Sequence, residues 1–233
     1  MRFLLLQARN PGDPVREEEV HQFAARLELP ASTLAPWDLL QGPPEESVLE
    51  DYDALLIGGS GEYDLSKQNL PRLGETLAFL QQVVKEGFPT FASCFGFQLL
   101  VAALGGEVIR DEENAELGAA RVCLTEAGKK DELFGALPDC FWVQAGHKER
   151  ASRMPAGALN LAYSEKPPTK RSGCRESRSG PPSSTPSSPR RTPTFASSAT
   201  PRCTPRAFPT RRSEPGSNRA PRQTPFCGVF ARF

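Results

Sequence analysis

Hydrophobic positions along the chain fall into two patterns. The first is the short continuous apolar run: Arg2–Gln7, Ala54–Ile57 and Phe88–Ser93, with Leu34–Leu40 a shorter and less pure example. Runs of this kind, without polar alternation, predict parallel strands covered on both faces. The second pattern has helical spacing. Val15–Leu27 places Val20, Phe23, Ala24 and Leu27 on one stripe, with acidic residues near its start. After Asn69-Leu70-Pro71, Leu73, Leu77, Leu80, Val83 and Val84 mark a second apolar face that Gly87 closes. Phe97–Leu104 reads as a third helix, stopped by Gly105-Gly106. Arg9–Pro14 and Gly42-Pro43-Pro44 are turn-rich breaks, and Glu45–Tyr52 holds one or two helical turns.

Alternating strands and helices of these lengths predict an α/β domain. The expected architecture is a doubly wound, mostly parallel sheet with its site at the strand C-termini. Farther along, Glu107–Ile109, Ala119–Leu124 and Cys140–Gln144 alternate enough to be strands of a second layer or an antiparallel extension. Asp131–Leu137 reads as a short helix, and Gly157–Tyr163 as the last folded element. The acidic runs Glu62–Asp64 and Asp111–Glu116 read as exposed faces.

Composition divides the chain in two. Residues 167–233 carry thirteen Lys/Arg against two Asp/Glu, and thirteen of the twenty-three prolines. That segment is therefore +11 and the remaining 166 residues −11, although the whole is formally neutral. The expected organisation is a folded domain over 1–165 and a Pro/Ser/Arg-rich disordered tail over 166–233, too poor in large apolar residues to offset the entropy of ordering. No run approaches transmembrane length, and Met1–Leu6 is too short and too soon polar for a signal peptide. Six cysteines without a Cys-x-x-Cys pair, three of them in the tail, predict a reducing cytoplasm, no disulfide framework and no metal site. No cofactor-binding signature is present.

The candidate chemistry lies at Thr90–Leu100, where an apolar strand meets a helix through Ser93-Cys94-Phe95-Gly96. A cysteine at such a junction sits on a sharp strand-to-helix bend with a helix N-terminus behind it, where a thiolate is favoured and backbone N–H groups can hold an oxyanion. The competing reading is a small buried hydrophobe. The wider string Cys94-Phe95-Gly96-Phe97-Gln98 resembles the Cys-x-Gly-x-Gln signature of class I, triad-type glutamine amidotransferases. Leu55-Leu56-Ile57-Gly58-Gly59-Ser60-Gly61, upstream, is similar to that family's strand ending in a Gly-Gly turn. The resemblance is to the stand-alone type, similar to the glutaminase domain of GMP synthase, and implies that the doubly wound sheet has the family's flavodoxin-like architecture. It implies Cys94 as nucleophile toward the side-chain amide of glutamine, Gly59 and Phe95 as oxyanion-hole donors, and Gln98 with Gly96 at the substrate. Any synthetase or ammonia acceptor is then a separate protein, since no ATP-grasp or P-loop signature occurs.

The same resemblance calls for a late His-Pro-Glu string, supplying the base for Cys94 and the carboxylate that orients it. The chain has two histidines, His21 and His147, and no such string. His21 reads as solvated on its helix. His147 is either a base for Cys94 or a residue of a surface loop beside the site. The tail admits a sharper reading as the family's C-terminal segment in the wrong frame. With free third bases chosen, each codon's third base plus the next codon's first two spell, over Lys166–Ser188, Ala-Pro-Tyr-Gln-Ala-Phe-Arg-Val-Pro-Gly-Lys-Pro-Val-Trp-Ala-Thr-Gln-Phe-His-Pro-Glu-Leu. One base deleted near codon 166 yields the chain as written, which then lacks the triad's His and Glu. Three alternatives stand beside an inactive amidotransferase: a γ-glutamyl hydrolase of the same fold, a non-catalytic binding module, and a nucleic-acid-binding role for the tail, which the frame reading makes unnecessary.

Overall fold

The computed structural model describes residues 1–165. The tail, its three cysteines and the shifted-frame tract lie outside the described residues. Strands β1 (Phe3–Ala8), β2 (Leu34–Asp38), β3 (Ala54–Ser60) and β4 (Thr90–Ala92) form a parallel sheet in the order β2-β1-β3-β4. Helices α1 (Val15–Leu27), α2 (Leu73–Lys85) and α3 (Phe95–Ala103) connect or follow these strands.

Successive side chains of a strand point to opposite faces, and in β1 both faces are covered. Leu4 and Leu6 pack with Leu55, Ile57, Phe79, Leu80, Val83, Leu99 and Val101 on the α2/α3 side. Phe3 and Leu5 pack with Ala54, Leu56, Phe23, Ala24 and Leu27 on the α1 side. Phe23 of α1 meets Phe91 of β4 edge-to-face, ring centroids 6.0 Å apart. Two-sided burial accounts for the continuous apolar runs, and this central parallel sheet with flanking helices is the doubly wound core the pattern predicts. Helix α3 is apolar nearly all round because it is buried between the sheet and a second layer. It begins at Phe95, two residues earlier than the periodicity predicts, so the helix follows Cys94 directly.

The second half is antiparallel. Strand β5 (Glu107–Arg110) pairs with β8 (Glu149–Arg153), and β6 (Glu116–Leu124) lies between β7 (Cys140–His147) and β9 (Ala162–Glu165). Several expectations need correction here. The helix expected over Asp131–Leu137 shrinks to one 3-10 turn at Phe134–Ala136, capped by Asp131 Oδ1, which accepts from the N–H groups of Leu133 and Phe134. The last element is a strand at Ala162–Glu165 rather than Gly157–Tyr163. Strand β7 runs on to His147, and β8 is an element the pattern does not predict. Asp111 and Glu116 are not exposed, their side chains retaining 14% and 10% of their accessibility.

The cysteine reading is also overturned: Cys123 and Cys140 form a disulfide. They are 17 residues apart in sequence but directly opposite in the β6–β7 register. A count of cysteines carries no information about strand register, which is why the pair is not legible from it. Among the described residues, no helix is long and apolar enough to cross a membrane.

Candidate functional site

The site is built where the parallel strands end. Cys94 follows β4 with φ 51° and ψ −110°, a left-handed backbone that non-glycine residues adopt at a cost of about 1–3 kcal/mol. Two contacts hold it there. The Ser93 N–H donates to the Ile57 carbonyl at 2.9 Å, extending the β3–β4 ladder, and the Gly96 N–H donates to the Ser93 carbonyl at 2.9 Å. Gly96 is required for space: a Cβ there would lie 2.7 Å from both the carbonyl oxygen and Cγ2 of Ile57. The half-buried Cys94 thiol, outside any disulfide, therefore stands at the N-terminus of α3, where the helix dipole favours negative charge.

The facing wall is the Gly58-Gly59 turn. The β1–β3 register slips between Leu6/Ile57 and Ala8/Ser60, a bulge that lifts the two glycines out of the ladder. A Cβ on Gly59 would lie 3.7 Å from Cys94 Cβ, so turn and elbow are in contact range. The freed Gly59 N–H does not face an empty hole; it donates to Glu19 Oε1 at 2.9 Å. Glu19 is 5% exposed, and Arg9 Nη2 donates to its Oε1 at 3.1 Å while Gln7 Nε2 donates to its Oε2 at 2.9 Å. An acidic residue near a helix start ordinarily reads as compensating the dipole from solvent, so nothing in the sequence singles out Glu19.

The remaining expected site residues are placed as follows. Phe95 is buried as the first residue of α3, so its N–H has no intrahelical acceptor. Gln98 is buried one turn later, and its Nε2 donates to the Glu149 carbonyl at 3.2 Å, tying α3 to β8. The Glu149 carboxylate accepts the N–H groups of Leu65 and Ser66 at 2.9 and 3.0 Å, which fixes the segment after the Gly-Gly turn. Tyr63 in that segment donates its hydroxyl to Asn10 Oδ1 at 2.5 Å. Burial first, then the charges of Glu62 and Asp38, push the Tyr63 phenol above its ordinary range.

His147 is not on a surface loop. It ends β7 with its side chain 11% exposed, and its Nε2 lies 3.3 Å from Glu116 Oε2, on the residue paired with it across β6–β7. Ser164 Oγ donates to the other oxygen of Glu116. His21 is exposed on α1. Among the described residues no cluster of His, Cys, Asp and Glu could hold a metal ion.

Residues 29–179 match the profile of the family "Glutamine amidotransferase class-I". A γ-glutamyl-L-1-hydroxyisopropylamide hydrolase of a Pseudomonas species is 32% identical over 127 residues, which are 52% of this chain and 42% of that protein. A glutamine-hydrolysing GMP synthase of Thermotoga maritima is 32% identical over 123 residues, 53% of this chain and 22% of that one. The matches thus span less than half the length of these two relatives. Among solved structures, a glutamine amidotransferase of Thermotoga maritima superposes with a TM-score of 0.55 at 23% identity, covering 71% of this chain and 68% of that one. One from Methylobacillus flagellatus gives 0.54 at 23% identity over 70% and 61%.

Proposed function

The chain belongs to the glutamine amidotransferase class-I family, and on that premise we propose that Cys94 is the nucleophile of a glutamine-amide site. The supporting observation is the left-handed Cys94 at the β4–α3 junction, with Gly59 in contact range across from it. In this reading the thiolate attacks the side-chain carbonyl carbon of glutamine, a C–S bond forms and the carbonyl oxygen becomes an oxyanion. Collapse of the adduct breaks the C–N bond, the proton that the family's histidine base takes from the Cys94 thiol passes to the leaving nitrogen, and ammonia departs from a γ-glutamyl thioester that water then hydrolyses. Phe95 N–H is the principal oxyanion donor. Gly59, whose N–H is held by Glu19 in this structure, lines the facing wall of the hole, and Gly96 and Gln98 shape the floor beneath the substrate. In this reading the ammonia passes to an acceptor held on a separate protein.

We infer that the chain as written does not turn over glutamine. His147 pairs with Glu116, His21 is exposed on α1, and the sequence holds no His-Pro-Glu. We read residues 166–233 as out-of-frame translation of the segment that carries the base and its orienting carboxylate. Sequencing the gene across codons 160–190 tests this: the shifted frame should be open through His-Pro-Glu, and early stops in it would refute the reading.

A second reading, release of a γ-glutamyl product to water from an amide other than glutamine, is favoured by the hydrolase relative from Pseudomonas. Ammonia release from glutamine, compared with amine release from γ-glutamyl alkylamides by a frame-restored chain, separates the two. Faster turnover of the alkylamide selects the second.

A further inference from the structure

Glu19 is a carboxylate in the early turns of α1 that the fold buries beside the nucleophile. Burying a charge is costly unless it is paired and hydrogen-bonded, and here three donors converge on it from three places. Gln7 comes from the end of β1, Arg9 from the following loop, and the Gly59 N–H from the β3 bulge. Arg9 is itself steadied by Asp13, 3.5 Å from its Nη1, and Gln7 Nε2 also reaches the Arg16 carbonyl of α1 at 2.8 Å. The cluster occupies the gap between the C-termini of β1 and β3, the point at which the strand order β2-β1-β3-β4 reverses and where ligands of such sheets bind.

The packing is specific to glycine. A Cβ on Gly58 would lie 2.6 Å from the Glu19 carboxyl carbon and from both of its oxygens. Gly58 has no left-handed backbone to explain its identity; the space is taken by Glu19. A Cβ on the next residue, Gly59, would meet Cys94 Cβ at 3.7 Å. Glu19 therefore fixes Gly58 by its bulk and Gly59 by its acceptor.

We propose that Glu19 is the positioning residue of the thiol site, holding the Gly58-Gly59 turn against the Cys94 elbow from α1. The inference rests on Cys94 being the site's nucleophile, but its test needs no glutamine chemistry. In the full-length chain, the rate at which iodoacetamide alkylates Cys94 is followed against pH by peptide mass spectrometry. Wild type is compared with Glu19→Ala, Glu19→Gln, Gly58→Ala and the Glu19→Ala/Gly58→Ala double variant, with melting temperatures measured alongside.

Releasing the turn uncovers the thiol and removes a nearby negative charge, so Glu19→Ala raises the rate at pH 7 at least fivefold. Gly58→Ala, which drives the carboxylate off the turn, does the same. Glu19→Gln, which keeps an oxygen acceptor for Gly59, stays within twofold of wild type in the high-pH plateau, while its midpoint shifts to lower pH. The double variant is no faster than Glu19→Ala and melts no lower, because the methyl introduced by Gly58→Ala fills space the carboxylate has left. An unchanged rate in Glu19→Ala, or a double variant whose rate is the product of the two single effects, overturns the proposal. If Glu19→Ala does not fold, an unchanged rate in Gly58→Ala does so. Failure of glutamine to protect Cys94 in the same assay would refute the amidotransferase reading and leave this one intact.

Discussion

Strands β1 and β3 are buried along nearly their whole length, whereas β7 and the first six residues of β6 alternate between more and less exposed positions. In the parallel sheet the central strands are covered by α1 on one face and by α2 and α3 on the other. In the antiparallel sheet the inner face carries Val122 and Val143, while Trp142 and Leu117 on the outer face are each 69% exposed. The first region is held by apolar burial and carries the candidate chemistry at its edge. The second has a thinner core and is fastened by a disulfide and by the His147–Glu116 pair. Cohesion and chemistry sit together in the region whose packing tolerates least change, which is where a strained cysteine can be maintained.

That contrast yields graded predictions. Leu56→Ala, in the doubly covered sheet, costs about 2–5 kcal/mol in urea unfolding; a smaller loss would mean the parallel core is looser than its burial indicates. Reducing the Cys123–Cys140 bond, which spans 17 residues, costs up to ~3 kcal/mol on the chain-entropy account. The measurement is the unfolding midpoint with and without reductant, and a midpoint equal in both would show that the antiparallel sheet does not rely on its staple.

A smaller effect follows from Asp111, whose carboxyl is held below its ordinary range, first by the Asn114 side chain and then by the Arg150 guanidinium at 2.7 Å. Because the folded value lies below the unfolded one, this stabilisation is complete above the unfolded pKa of ~3.9 and is lost as pH falls through the lower folded value. Asp111→Asn therefore flattens the acid limb of the stability curve, and an acid limb identical to wild type would contradict it. Trp142→Ala, on the open face, changes stability by no more than about 0.5 kcal/mol, and a larger loss would mean that face is covered.

What is legible in the sequence follows from the same contrast. Strands β1 and β3 and helices α1 and α2 announce themselves because burial on both faces, or on one stripe, writes a local pattern. Strand β8, Glu-Arg-Ala-Ser-Arg, escapes notice because only Glu149 and Ala151 point inward and neither is a large apolar residue. The disulfide escapes because its partners meet through register, and so does the pairing of His147 with Glu116 across β6–β7. Within the site, Cys94 and Gly96 can be found because an elbow needs a sharp turn and a small residue at fixed offsets. Glu19 cannot: its partners Gln7, Arg9 and Gly59 converge only once α1 is laid against the sheet, and a helix-start glutamate has a simpler explanation. Gln98 is found by motif, but its contact with the Glu149 carbonyl depends on the unexpected strand β8.

The most direct test of Cys94 as the nucleophile of a glutamine site is covalent labelling of the full-length chain with 6-diazo-5-oxo-L-norleucine, a glutamine analogue that alkylates a thiol positioned at the amide carbon, read by intact and peptide mass spectrometry. A single adduct on Cys94 is expected, slowed by added glutamine and absent from Cys94→Ser. An adduct on another residue, or labelling of Cys94 that glutamine does not slow, would contradict the assignment of Cys94 to a glutamine site.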